Sequence, residues 1–112
     1  MPGMSSVVVG LREKIPHPPA STLDLATIMR TLGDPVRLEI VRMLADGRPR
    51  SCGELSTALG LPTSTGSYHL RLLREAGITR TRAAGTLRVI SLRRDDLEKR
   101  FPGLVDVLTR GA

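Results

Sequence analysis

The hydrophobic period of this chain changes at Gly77, and that change constrains its fold more than any other feature. Before Gly77, apolar residues recur every three or four positions, which is the spacing of amphipathic helices. After it, residues 78–82 and 87–91 alternate as half-buried strands do. Residues 83–86 join these two runs and include Gly85. The pattern therefore predicts several helices followed by a β-hairpin.

Capping signals mark the starts of the first two helices. Ser21 or Thr22 is expected to cap a helix over residues 23–31. The Asp34-Pro35 pair then offers a capping carboxylate followed by a proline at the first helical position, where its missing N–H costs nothing. This pair predicts a second helix over residues 35–45.

A helix-turn-helix is predicted over residues 51–76. Ser51 and Glu54 have the spacing of a capping box, which starts a short helix with three residues pointing inward: Leu55, Ala58 and Leu59. Residues 60–62 turn the chain into a longer helix over residues 63–76, and Gly77 is placed to end it. With the hairpin as a wing, this order predicts a winged helix-turn-helix, whose second helix enters the DNA major groove.

The longer helix has an apolar and a polar face. At about 100° per residue, Gly66, Leu70 and Leu73 lie on one side. The opposite side carries short hydroxyls and arginines, which suit base edges and phosphates, together with one acid: Ser64, Ser67, Tyr68, Arg71, Arg74 and Glu75. An ordinary amphipathic surface helix has the same pattern. The distribution of charge along the chain therefore has to distinguish a DNA-binding helix from an ordinary one.

Basic residues are concentrated in this helix and the hairpin. The chain has a net charge of +6, and residues 71–94 hold one acid, Glu75, against seven arginines: Arg71, Arg74, Arg80, Arg82, Arg88, Arg93 and Arg94. That excess equals the net charge of the whole chain, so a polyanion is the expected partner. Arg80, Arg93 and Arg94 are each expected either to touch phosphate or to be solvated.

Two segments resemble the ArsR-type repressors. Residues 31–40, T-L-G-D-P-V-R-L-E-I, resemble the A-L-x-D-P-x-R-L-x-I-L opening of that family. Residues 52–77 resemble its E-L-A-x-x-L-G-L-S-Q-S-T-V-S-x-H-L-x-x-L-R-E-A-G-L-V segment. The resemblance covers residues 25–92. It implies a mainly α, homodimeric winged helix-turn-helix that binds double-stranded DNA at a palindromic operator and represses transcription until an inducer releases it.

The resemblance also assigns roles to individual residues. On the recognition helix, the base-reading positions are matched by Thr63, Ser64, Ser67 and Tyr68, with Arg71 beside them. Arg82 and Arg88 match the wing. After the hairpin, Asp95 and Asp96 lie at the start of a last helical stretch, which Pro102-Gly103 interrupts. The resemblance implies that the first and last helices pack across a two-fold axis, through Leu25, Ile28, Met29, Leu32, Leu104, Val105 and Leu108.

The metal-sensing patterns of that family are missing. Its best-known sensors carry C-x-C just before E-L, where this chain has Ser51 and Gly53 with Cys52 between them. Their last helix uses Asp and His, whereas this chain has Asp95 and Asp96 without a histidine. We therefore expect no metal and no cofactor.

Four further residues have mainly structural interpretations. Cys52 is expected to be an inert, buried small residue, with a redox or electrophile switch as the alternative. His69 is expected to be a core histidine with a satisfied ring, and Arg37 to make an ion pair or cap contact. Gly66 costs up to about 1 kcal/mol within a helix, and close packing of two backbones is the only reason for it that the sequence offers.

Composition limits the class of protein. One cysteine excludes a disulfide within the chain, and residues 7–9 form too short an apolar run for a membrane span. We expect a cytoplasmic, non-enzymatic protein without a membrane partner, its inducer a small molecule or a redox change. Residues 1–20 are expected to form a flexible Pro-rich arm and residues 21–112 the domain. The alternatives are a winged-helix protein-interaction module and a basic RNA-binding domain.

Overall fold

The computed structural model describes residues 15–110, which form a mainly α domain with a small antiparallel sheet. A 3-10 turn, Ala20–Thr22, comes first. The elements that follow in these residues are α1 Leu25–Leu32, α2 Pro35–Leu44, β1 Arg50–Ser51, α3 Cys52–Ala58, α4 Thr63–Glu75, β2 Thr79–Ala84, β3 Leu87–Leu92, α5 Arg94–Arg100 and α6 Leu104–Arg110. This is the winged helix-turn-helix that the sequence predicts.

The start of α2 is confirmed and that of α1 is corrected. The Asp34 carboxylate accepts the backbone N–H groups of Val36 and Arg37 at 2.8 and 3.2 Å. For α1, the cap is Asp24 instead of Ser21 or Thr22, and its carboxylate accepts the N–H of Thr27 at 3.0 Å. The helix starts later because Leu23 is extended and inserts into the core, with 3% of its surface exposed.

The helix-turn-helix begins with the predicted capping box. Ser51 Oγ accepts the N–H of Glu54 at 3.0 Å, and the Glu54 carboxylate accepts the N–H of Ser51 at 2.9 Å. That second bond is the largest cause of the lowered pKa of Glu54. Leu55 is buried, as expected, but Ala58 is exposed, and Ser56 takes the inward position instead.

Ser56 is buried because Gly66 of α4 lies directly against it. A Cβ on Gly66 would overlap Ser56 Oγ and lie 3.0 Å from Ser56 Cβ. The prediction of close backbone packing at Gly66 is therefore confirmed. This contact sets how closely the two helices of the motif approach.

The wing is longer than predicted, and its sheet has a third strand. Ala83 pairs with Arg88 and Ala84 with Leu87, which leaves a two-residue turn, Gly85-Thr86. Gly85 has φ +61, as a type II′ turn requires at its first central position. The two-residue strand β1 is too short to show a period in sequence. The strand order is β1-β3-β2, so β2 lies at an edge.

The core takes residues that were expected at a subunit interface. Ile28 and Val105 are 0% exposed and Leu32 is 7% exposed, because these side chains pack inside the subunit. They are therefore core residues of the subunit, whereas the sequence predicts them to be interface residues. Among the expected interface residues, Leu25 and Met29 are exposed, whereas Leu104 and Leu108 are partly buried.

The end of the predicted N-terminal arm contacts the domain. The N–H of Thr81, on the edge strand β2, donates to His17 Nε2 at 3.0 Å. Arg93 donates to the carbonyl oxygen of Pro18 at 2.8 Å. Residues 1–14 lie outside the described residues, and for them a flexible arm stays a prediction.

Candidate nucleic-acid interface

Helix α4 presents the five predicted side chains to solvent. Its buried side consists of Gly66, Leu70 and Leu73, which pack against the rest of the domain. The exposed residues are Thr63, Ser64, Ser67, Tyr68 and Arg71. The structure thus leaves the proposed reading residues of the helix accessible.

Tyr68 and Arg71 form a small exposed unit on this helix. The Arg71 guanidinium lies 5.5 Å from the centre of the Tyr68 ring, and its NH1 lies 3.4 Å from Glu75 Oε2. An exposed i,i+4 ion pair contributes about 0.3–0.5 kcal/mol. A phosphate can therefore replace Glu75 as the partner of Arg71 at little cost.

The two predicted wing arginines lie on opposite faces of the hairpin. In the register, Arg82 is opposite Val89, whereas Arg88 is opposite Ala83. Side chains alternate along a strand and directly opposed residues share a face, so Arg88 is on the side of Ala83, which is not the side of Arg82. Arg88 lines a cleft with residues of α4. Any hairpin loop of two or four residues here places Arg82 and Arg88 on opposite faces. Their separation could therefore have been predicted from the sequence.

Three other arginines of the basic segment have structural partners. Arg93 is 4% exposed and donates to Asp96 at 2.9 Å as well as to Pro18. Arg80 donates to the same carboxylate at 3.4 Å, and Arg94 donates to the carbonyl oxygen of Ala45 at 2.6 Å. The sequence predicts that Arg93 either contacts phosphate or is solvated. Both predictions are wrong, because Arg93 is buried and paired. Its partner, Asp96, follows it by three residues and lies just outside the basic segment of residues 71–94.

Arg37 and His69 connect the recognition helix to the rest of the domain. Arg37 Nε donates to the carbonyl oxygen of Thr31 at 2.7 Å, and its NH1 lies 3.1 Å from His69 Nδ1. The structural interpretation of both residues is confirmed, although the partner of Arg37 is a ring nitrogen and a carbonyl instead of an acid. This link fixes α4 against α1 and α2.

His17 makes the contact between N-terminal segment and wing sensitive to pH. Burial is the largest cause that lowers the pKa of His17 from its ordinary 6.5, followed by the positive charge of Arg93. Arg74 and Arg80 lower the pKa of His17 further. The neutral ring accepts the Thr81 N–H, and protonation of Nε2 removes that acceptor.

We expect the free energy of unfolding to fall as the pH drops below 6.5. The unfolded chain takes up a proton on residue 17 at a higher pH than the folded chain does, so stability rises with pH in that interval. Urea titrations across the interval check this, with His17→Ala as the comparison. An equal slope in the wild type and the variant would contradict it.

Proteins that are similar in sequence and in structure share the helix-turn-helix of this chain. The family described as "Helix-turn-helix domain" matches residues 32–82. The uncharacterized HTH-type transcriptional regulator YceK of Bacillus subtilis is 39% identical over 84 residues, which are 74% of this chain and 84% of YceK. The solution structure of Mb0332 from Mycobacterium bovis, a homodimeric winged helix-turn-helix DNA-binding domain called a possible ArsR-family regulator, is 28% identical. It superposes with a TM-score of 0.64 over 75% of this chain and 76% of that one.

The chain belongs to the ArsR-type winged helix-turn-helix transcriptional regulators. A second structure, HlyU from Vibrio cholerae, is 29% identical and has a TM-score of 0.65 over 76% of this ArsR-type chain and 87% of HlyU. Within residues 15–110, no helix is long and apolar enough to span a membrane. The same residues contain no group of three or more His, Cys, Asp or Glu side chains arranged to hold a metal ion.

Proposed function

We propose that this ArsR-type regulator binds a palindromic operator as a cytoplasmic homodimer, and that an inducing signal releases it to end repression. The observation that carries this proposal is the accessible polar side of α4, on which Thr63, Ser64, Ser67, Tyr68 and Arg71 are exposed. That side is next to a hairpin with exposed arginines. An interaction module without DNA binding has no need of this arrangement, and the relatives are named transcriptional regulators.

Tyr68 and Ser67 are proposed to contact base edges, and Arg82 a phosphate. Tyr68 is 49% exposed, so its side chain is accessible on the surface of the helix. Arg82 lies on the outer side of the edge strand and has no acidic partner among residues 15–110. Base contacts discriminate between sequences, whereas phosphate contacts strengthen binding to all of them.

We expect Tyr68→Ala to weaken operator binding about tenfold, near the lower end of the roughly 1–3 kcal/mol of a base contact. Binding to scrambled duplex should stay nearly unchanged. Arg82→Ala should weaken both and reduce the salt slope of log K by about one unit. Fluorescence-anisotropy titrations at several salt concentrations measure both effects.

Two control variants accompany the Tyr68→Ala and Arg82→Ala measurements. Tyr68→Phe keeps the ring and removes the hydroxyl, so it separates hydrogen bonding from packing. Arg110→Gln removes one exposed positive charge from α6, away from helix α4 and the wing, and should leave the salt slope nearly as it is. If Tyr68→Ala weakens operator and scrambled duplex equally, the assignment of base reading to this side of α4 is wrong.

A further inference from the structure

A cleft separates α4 from the inner face of the wing. It has a volume of about 160 Å³ and reaches the first residue of α3. Its lining combines three arginines and three smaller polar side chains with two apolar ones: Arg71, Arg74, Arg88, Cys52, Ser67, Thr81, Leu70 and Ile90. The lining contains no acidic residue, so the cleft concentrates positive charge.

Two of these arginines have no acidic partner among residues 15–110, namely Arg74 and Arg88. Arg74 is partly buried, and its Nε is covered without a hydrogen-bond partner. Arg93, by contrast, is buried with the Asp96 carboxylate at 2.9 Å. Positive charges that converge on one cleft repel each other, and an anion in the cleft would offset that repulsion.

Size and chemistry restrict what such an anion can be. Drug-sized ligands occupy pockets of about 300–1,000 Å³, which is more than this cleft provides. Its volume equals that of roughly five water molecules, which suits a compact tetrahedral group. Arginine forks match phosphate oxygens in pairs, and the hydroxyls of Ser67 and Thr81 are additional donors.

We propose that this cleft binds a compact oxyanion, namely free phosphate or a small phosphate monoester, and that the bound anion competes with operator DNA. The competition rests on the proposed function, because Ser67 and Arg71 belong both to the cleft and to the proposed DNA contacts. The binding of the anion itself does not depend on that function. A phosphate of the DNA backbone has the same chemistry, so the experiment has to separate the two sources.

Cys52 provides the readout for the first arm, because it is the only cysteine of the chain and lines the cleft. Its Sγ lies 3.5 Å from Ser67 Oγ. The rate of its alkylation by neutral iodoacetamide is measured without DNA, in inorganic phosphate against sodium chloride of equal ionic strength. At a phosphate concentration about ten times the Kd, the free fraction is about one tenth, so alkylation should slow about tenfold.

Variants connect this protection to the arginines of the cleft. Arg88→Gln changes an exposed residue and should abolish most of the protection, as should Arg74→Gln, with circular dichroism confirming that each variant is folded. Arg110→Gln removes the same charge outside the cleft and should retain full protection. If phosphate fails to protect the wild type, or protects Arg88→Gln equally, the proposal is wrong.

The second arm measures operator binding. Phosphate should weaken it more than chloride does at equal ionic strength, and Arg88→Gln should lose that excess sensitivity. Protection of Cys52 by duplex DNA but not by free phosphate would overturn the proposal and leave a backbone-phosphate contact. A protein that is protected by phosphate but does not bind its operator would overturn the proposed function and the competition, while leaving the anion site standing.

Discussion

Replacing Gly66 with valine is expected to lower the free energy of unfolding by about 3 kcal/mol, at the upper end of the range for overpacked interiors. The first carbon of the new side chain would overlap Ser56 Oγ, and the two methyl groups extend further into the same contact between α3 and α4. Glycine and valine are both weak helix formers, so propensity does not explain a loss of this size. Urea denaturation followed by circular dichroism measures it.

A second site tests the same contact from the opposite helix. Combining Gly66→Ala with Ser56→Gly removes the overlapping atoms. Alanine at position 66 should therefore lower the free energy of unfolding much less than it does when Ser56 is present. Ser64→Val places the valine of the first test on the exposed side of α4 and should change stability by less than about 0.5 kcal/mol. If Gly66→Val unfolds at the same urea concentration as the wild type, α3 and α4 do not pack as closely as this structure places them.

Much of the fold could be predicted because its signals are local. The Asp34 cap and the capping box of Ser51 and Glu54 each lie within a few residues, and the hairpin shows in the alternation of its strands. Strand β1 could not be found, since two residues carry no period. Gly66 is unusual within a predicted helix, but its partner Ser56 is ten positions earlier, and only the packed helices bring the two together.

The site was harder to predict, because charges acquire their roles from tertiary contacts. The sequence places Arg80, Arg93 and Arg94 in the same basic segment as Arg82 and Arg88, which the family resemblance assigns to the wing. In the fold, Arg93 is buried against Asp96 and reaches Pro18, which is 75 positions away in the chain. A count of charges along the sequence does not distinguish these roles, since burial and partner depend on the packing of other elements.

We propose that subunit assembly depends on the apolar residues that the fold leaves exposed on its terminal helices. Leu25 and Met29 lie one helical turn apart on α1 and are 46% and 42% exposed, and Val107 on α6 is 69% exposed. Ile28 lies between them in sequence but is fully buried, so a charge there would unfold the subunit instead of separating two subunits. The informative change is therefore Leu25→Glu combined with Met29→Glu.

We expect this double variant to be monomeric by light scattering and to bind its operator at least about 100-fold more weakly, because a monomer loses the gain from linking two half-site contacts. Its unfolding should stay cooperative, since both side chains are exposed. Thr57→Glu with Ala58→Glu adds the same two charges to exposed positions of α3. That control should remain dimeric, and it measures how much affinity the added charge removes by itself. A dimeric Leu25→Glu, Met29→Glu variant would place the interface elsewhere and contradict the proposed arrangement of the two terminal helices.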